Sequence, residues 1–165
     1  MKTITSLLLI GLSCVAAFSA QIDRKTFSLT LPANWIEQTN DDMYNPDSFI
    51  FFSGPESTLF TVVIGQNSAG ASVDTLVNNQ RDNFVKKFKD PSAAKIAQWA
   101  GHSGSGFKID GKIMGIMSAR VTIFAFQNGD NVGLIEEYAT LNDYKTYAPD
   151  FEKLRQTFKL KYAKP

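Results

Sequence analysis

VTIFAFQNGDNVGLIEEYA, residues Val121 to Ala139, sets two β-rich runs around one tight-turn signal. Asn128-Gly129-Asp130 offers the residues that tolerate the left-handed backbone of a two-residue hairpin. The flanking segments Ala119 to Gln127 and Val132 to Ala139 are therefore predicted to pair antiparallel. Upstream, Lys95 to Ala100 and Gly106 to Met114 have the same β-rich character, with a further turn signal at Asp110-Gly111. The stretch from Ala94 to Ala139 thus reads as a meander of three or four antiparallel strands.

Helical patterns bracket this meander. Ser72 suits an N-cap, and Val73, Leu76, Val77, Phe84 and Phe88 fall on one helical face. Asp90-Pro91 is expected to end that helix, because proline disfavours helix in the residue before it. A second helix is predicted from about Tyr147 to Phe158, with Pro149 tolerated in its first turn and an apolar stripe of Tyr147, Phe151, Leu154 and Phe158. Before the first helix, Phe49-Ile50-Phe51-Phe52 and Leu59 to Ile64 read as a hairpin around Ser53-Gly54-Pro55-Glu56-Ser57. The continuous apolar runs at Phe49 and Val62 suggest a sheet interior covered on both faces. Thr26 to Leu31 alternates strictly, with Phe27, Leu29 and Leu31 on one face, and stops at Pro32. Strands, a helix, more strands and a helix make an α+β domain. The expected architecture is a helix–sheet–helix sandwich.

The first twenty residues differ in kind. Lys2, the apolar run Leu7 to Leu12, Val15-Ala16-Ala17 and the small residues before Gln21 form the pattern of a secretory signal peptide. Cleavage is expected between Ala20 and Gln21, leaving residues 21–165 as a single domain exported to the periplasm or beyond, with a Gram-negative source favoured. A chain of that size hides about 70% of its extended surface on folding, enough for a core without staples. Removing Lys2 takes the 17 basic residues to 16, equal to the 16 acidic ones. That balance gives no reason to expect nucleic acid or an anionic membrane as a partner. Lys86-Lys87-Phe88-Lys89 is the only basic cluster, and it reads as the solvated last turn of the helix. Cys14 is the only cysteine and lies within the leader, so the mature chain has no thiol chemistry. Gly11 and Leu12 precede it in the wrong order for a lipid-anchor signal, so a lipid anchor on Cys14 is not expected.

The order Phe27-Ser28-Leu29-Thr30-Leu31-Pro32, Trp35, hairpin, helix, glycine-punctuated meander and C-terminal helix leading into Thr157-Phe158-Lys159-Leu160 resembles the PsbP/Mog1/DcrB-like superfamily. That resemblance implies an antiparallel sheet of six or seven strands between helices. It also implies binding rather than catalysis: members bind a photosystem, a small GTPase or the transmembrane segments of secreted toxins. It carries over no functional residue, because the matching positions are those the fold itself needs.

The residues support no catalytic constellation. Gly101-His102-Ser103-Gly104-Ser105-Gly106 lacks the glycine spacing of a nucleophile elbow and the Lys-Ser/Thr of a phosphate loop, so it reads as a flexible strand-to-strand connection. His102, the only histidine, has no companion ligands for zinc. It is expected on an exposed loop, with partner contact the functional alternative and a Ser/His hydrolase using Ser103 or Ser105 a remote one. Asn40-Asp41-Asp42 with Asp47 lacks the alternation and glycine of a calcium loop. Glu136 and Glu137 point to opposite faces of a strand and cannot form a dyad; one is expected in solvent or paired with a lysine on a neighbouring strand. Trp99 and Tyr44 are the two aromatics least easily assigned to a core, and with His102 they are the expected partner-binding residues. The reading is an exported, non-catalytic protein without metal or cofactor that binds a protein or small ligand in the envelope. An immunity or chaperone-like role toward a secreted toxin is the alternative.

Overall fold

The computed structural model describes residues 19–66, 70 and 72–161. Most of the expected leader, with Cys14, lies outside the described residues. Among the described residues, ten strands and three helices follow in the order β1 (Gln21–Asp23), β2 (Phe27–Thr30), β3 (Ile36–Glu37), β4 (Phe49–Ser53), β5 (Leu59–Gln66), α1 (Val73–Lys87), β6 (Phe88–Trp99), β7 (His102–Ile113), β8 (Met117–Asn128), β9 (Asn131–Thr140), α2 (Leu141–Thr146), α3 (Ala148–Thr157) and β10 (Lys159–Leu160). Seven strands form one antiparallel sheet in the order β3-β4-β5-β9-β8-β7-β6, and a small sheet runs β1-β2-β10. The fold is α+β, as the order of patterns predicts.

The alternation along the large sheet sorts its side chains into two layers. One face carries Ile50, Phe52, Phe60, Val62, Phe124, Phe126 and Ile135, which pack with Phe27, Leu29 and Leu31 of the small sheet and its flank and with Phe151 and Leu154 of α3. The other carries Ile109, Val121 and Ile123, roofed by Phe84 and Val85 of α1. The alternating Phe27 and Leu29 therefore bury against the large sheet from a second layer, while Phe158 and Leu160 lead into β10 and close the small sheet on β2. Ser72 caps α1 as expected, its Oγ accepting the Thr75 N–H at 3.1 Å.

The meander departs from its sequence reading at two places. Asp110-Gly111 is not a turn but lies inside β7, where Asp110 accepts two bonds of 2.7 Å from Arg120 across the strand pair. The turn falls instead at Met114-Gly115, both with positive φ. Asp90-Pro91 does follow the helix, but β6 begins at Phe88 and runs through it rather than starting at Lys95. The register slips between Lys89 and Ser92. A proline is tolerated there because β6 is an edge strand and a bulge demands no N–H from it.

The segment 101–106 is likewise not a loose connection. Only Ala100-Gly101 forms the turn, and the remaining residues are strand. Gly104 and Gly106 are needed because aromatic rings lie over them. A Cβ on Gly106 would stand 2.4 Å from the carbonyl oxygen of Ile123 and 2.8 Å from the Phe124 ring. The backbone oxygen cannot step aside without breaking the strand pairing. Gly106→Ala is therefore expected to cost about 1–3 kcal/mol in urea denaturation; an unchanged midpoint would show that this contact is slack.

Candidate functional site

A single helix is about 10 Å across and strands lie about 4.8 Å apart, so α1 can roof only two or three of the seven strands. It packs on β6, β7 and β8. The same face of β4, β5 and β9 is left half-covered, which corrects the expectation that both faces of the Phe49 hairpin are sealed. Two cross-strand rows form its floor. Phe49, Val63 and Leu134 make one, and Phe51, Thr61 and Glu136 make the other. With Gln80 of α1 as one wall and Asp41 and Met43 of the preceding loop as the rim, they enclose a cleft of about 260 Å³.

The loop is shaped to place Met43 there. Asp41 Oδ1 accepts the Met43 N–H at 2.8 Å, and Asn45 pairs with Phe49 in an isolated bridge. Met43 is 65% exposed. At the other side of the cleft, Glu136 is half-buried, and among the described residues its carboxylate makes no hydrogen bond or ion pair. Burial pushes its pKa above the usual carboxylate range, and the positive charge of Lys87 opposes that shift only in part. The site therefore offers an apolar floor with one under-solvated acid at its edge.

No protein-family profile and no curated protein matches the chain. Solved structures do. The chain is similar to cyanobacterial PsbP (CyanoP) from Synechocystis sp. PCC 6803, with 11% identity over 96% of this chain and 99% of that one and a TM-score of 0.56. The Saccharomyces cerevisiae Ran-binding protein Mog1p shares 7% identity over 88% and 96%, with the same TM-score of 0.56. Mycobacterium tuberculosis LpqN, involved in cell envelope biogenesis, shares 12% over 81% and 82%, at 0.51. The chain has the PsbP/Mog1-like fold.

Within this PsbP/Mog1-like fold the residues singled out in the sequence scatter. Trp99 is 4% exposed, stacked between Phe60 and Phe124, and its Nε1 donates to Glu137 Oε1 at 2.8 Å. An indole so placed organises the core and presents no surface to a partner. Tyr44 turns inward, its hydroxyl donating to Glu37 at 2.8 Å while Arg24 holds the same carboxylate. Burial, then the Glu37 hydrogen bond and charge, raises its pKa. Met43, its neighbour, takes the outward place.

His102 begins β7 rather than sitting on an open loop. Its ring stacks on Phe126 at 5.8 Å and meets Phe158 edge-on, and burial lowers its pKa. Ser105 lies on the opposite face of the sheet, donating to Asp74 of α1 at 2.5 Å. The sheet stands between that hydroxyl and the imidazole, so the two cannot act as nucleophile and base. Glu137 pairs not with a strand lysine but with Arg155 of α3. Ala20 and Gln21, the expected cleavage pair, lie at the start of β1, where the Ala20 carbonyl accepts the Leu31 N–H at 2.8 Å.

The cleft residues were not nominated by the sequence. Phe49 and Phe51 look like core in a continuous apolar run, and only the reach of α1 decides that their face stays open. A usable signal existed for α2: Thr140 and Asp143 have capping-box spacing, and the Thr140 hydroxyl accepts the Asp143 N–H and donates to its carboxylate. Among the described residues, no helix is long and apolar enough to cross a membrane, and no three His, Cys, Asp or Glu side chains are grouped to hold a metal ion.

Proposed function

We propose that this is a non-catalytic, exported envelope protein that binds a partner protein, taking one or two of its side chains into the cleft between α1 and β4-β5-β9. The observation that carries this reading is the half-roofed floor of Phe49, Phe51, Val63 and Leu134 beside the unpaired Glu136. Small-molecule sites usually run from about 300 to 1,000 Å³. A cleft of about 260 Å³ is better matched to a side chain with an apolar stem and a cationic or N–H tip, which Glu136 and Asp41 complement. The leader pattern motivates export to the periplasm, and the DcrB resemblance and the likeness to LpqN support an envelope setting. Binding as such is in keeping with Mog1p, a Ran-binding protein.

Tagged protein expressed in its source cells should capture a stoichiometric partner after cross-linking. Phe51→Asp should abolish that capture, and Glu136→Gln should weaken it. Capture that survives both would place the partner surface elsewhere.

Glu136→Gln also carries a stability signature. The folded pKa lies above the unfolded one, so the stability linked to Glu136 is fully present below about pH 4.5 and is lost as pH rises through the folded value. At neutral pH the side chain is therefore a liability to folding. Glu136→Gln is expected to gain on the order of 1 kcal/mol there and to flatten that part of the pH profile. A gain in stability with a loss of capture separates a binding residue from a structural one. Destabilisation at neutral pH would contradict it.

A further inference from the structure

The β7–β8 hairpin ends in Ile113-Met114-Gly115-Ile116-Met117, an apolar tip held out into solvent. Met114 is 88% exposed, Ile116 84% and Met117 42%. Met114 also holds φ at 52°, in the left-handed region where asparagine or glycine would normally sit. A bulky apolar residue there is unfavourable twice, through its backbone and through its exposure. Neither choice helps the isolated fold, so the tip calls for something to cover it.

The charges behind the tip indicate what that is. Phe88 pairs with Ile113 and Lys89 with Lys112, one rung further from the turn. Lys86 and Lys87 end α1 immediately before Phe88. All four lysines are exposed, and among the described residues none makes an ion pair; Asp90 adjoins them in sequence, and the charge of Lys87 reaches Glu136. From the Lys89–Lys112 rung to the turn is two to three residues, or about 7–10 Å at strand rise. Apolar segments that lie in a bilayer interface enter about 5–10 Å, so lysines set back by that distance meet the phosphates while the tip reaches the acyl boundary. A protein partner fits less well, because lysine is depleted in protein–protein interfaces.

We infer that the Met114–Ile116 tip is a membrane-docking wedge that inserts into an anionic lipid surface, with Lys86, Lys87, Lys89 and Lys112 engaging its phosphates. The basic cluster is therefore more than the solvated end of a helix, and a charge-balanced chain still presents a cationic face. This surface adjoins the cleft only at Lys87, whose charge also reaches Glu136.

The test is co-sedimentation with vesicles of phosphatidylglycerol and phosphatidylcholine, compared with phosphatidylcholine alone. Every variant keeps the same N-terminal region, so differences report the hairpin. Wild-type protein should bind the anionic vesicles and release as salt rises. Met114→Asn/Ile116→Ser suits the turn at least as well as the native pair, so it should fold normally and lose on the order of tenfold or more in vesicle affinity. Lys89→Gln/Lys112→Gln should lose on the order of tenfold. Absence of binding to anionic vesicles at low salt, or binding indifferent to the tip variant, would overturn the inference. So would a dimer in solution that the tip variant dissolves, since a second copy would then be the cover.

Discussion

Arg155→Met is expected to cost about 3–5 kcal/mol of folding stability, measured by urea denaturation. Arg155 reaches from α3 to Glu137 on β9 with two bonds, Nε to Oε1 at 2.9 Å and a second guanidinium nitrogen to Oε2 at 2.5 Å, and also donates to the Tyr144 hydroxyl at 2.9 Å. Glu137 is 1% exposed. Burial on its own would lower the Arg155 pKa, but the hydrogen bonds and charge of Glu137 outweigh it and hold the guanidinium well above its ordinary value. Removing the arginine leaves a buried carboxylate with only the Trp99 N–H for company. Adding Glu137→Gln to Arg155→Met should restore much of the loss, because glutamine keeps an acceptor for Trp99 without a charge. A double variant as unstable as the single one would mean that the packing of Arg155, and not the stranded charge, carries the effect.

Trp99→Ala should fall in the same range, about 3–5 kcal/mol, because it empties the centre of the aromatic cluster. The indole stacks on Phe60 at 6.0 Å and on Phe124 at 6.5 Å, and meets Phe158 edge-on at 5.3 Å. Trp99→Phe separates the two contributions. It keeps a ring in the stack but deprives Glu137 of a donor, for an expected loss of about 1–3 kcal/mol. Because the side chain is internal, Trp99→Phe should leave partner capture intact once the protein is folded. Loss of capture by a stable Trp99→Phe variant would return Trp99 to the binding surface.

These two residues also show where sequence reading stops. Trp99 stands beside Ala100-Gly101 at a turn, and a tryptophan next to a glycine-rich stretch looks available to a partner. Its burial depends on α3 and the small sheet packing over that corner, brought there by residues more than fifty positions away along the chain. The period of a strand alone puts Glu136 and Glu137 on opposite faces, and they do face oppositely. That one would meet Arg155 and the other an open cleft depends on which helix lies over which face. The glycines mark the same limit. Gly129 and Gly115 serve turns, whereas Gly106 and Gly111 make room for Phe124 and Phe88, and composition does not separate these two uses.

Most of the short-range structure is legible in the chain alone, the turn read at Asp110-Gly111 and the loop read at 101–106 being the exceptions. The hairpin at Asn128-Gly129, the Phe49 and Leu59 strands, the Ser72-capped helix, the Pro149 helix and the α+β order all follow from side-chain period, capping and turn chemistry within a few residues. The rest depends on long-range packing. It put Trp99 inside and Met43, Met114 and Ile116 outside, carried β6 through Asp90-Pro91 at a sheet edge, and left the β4-β5-β9 face half-roofed. The reason is geometric: exposure of a given apolar side chain depends on whether a distant element arrives to cover it, and one helix is too narrow to cover a sheet of seven strands.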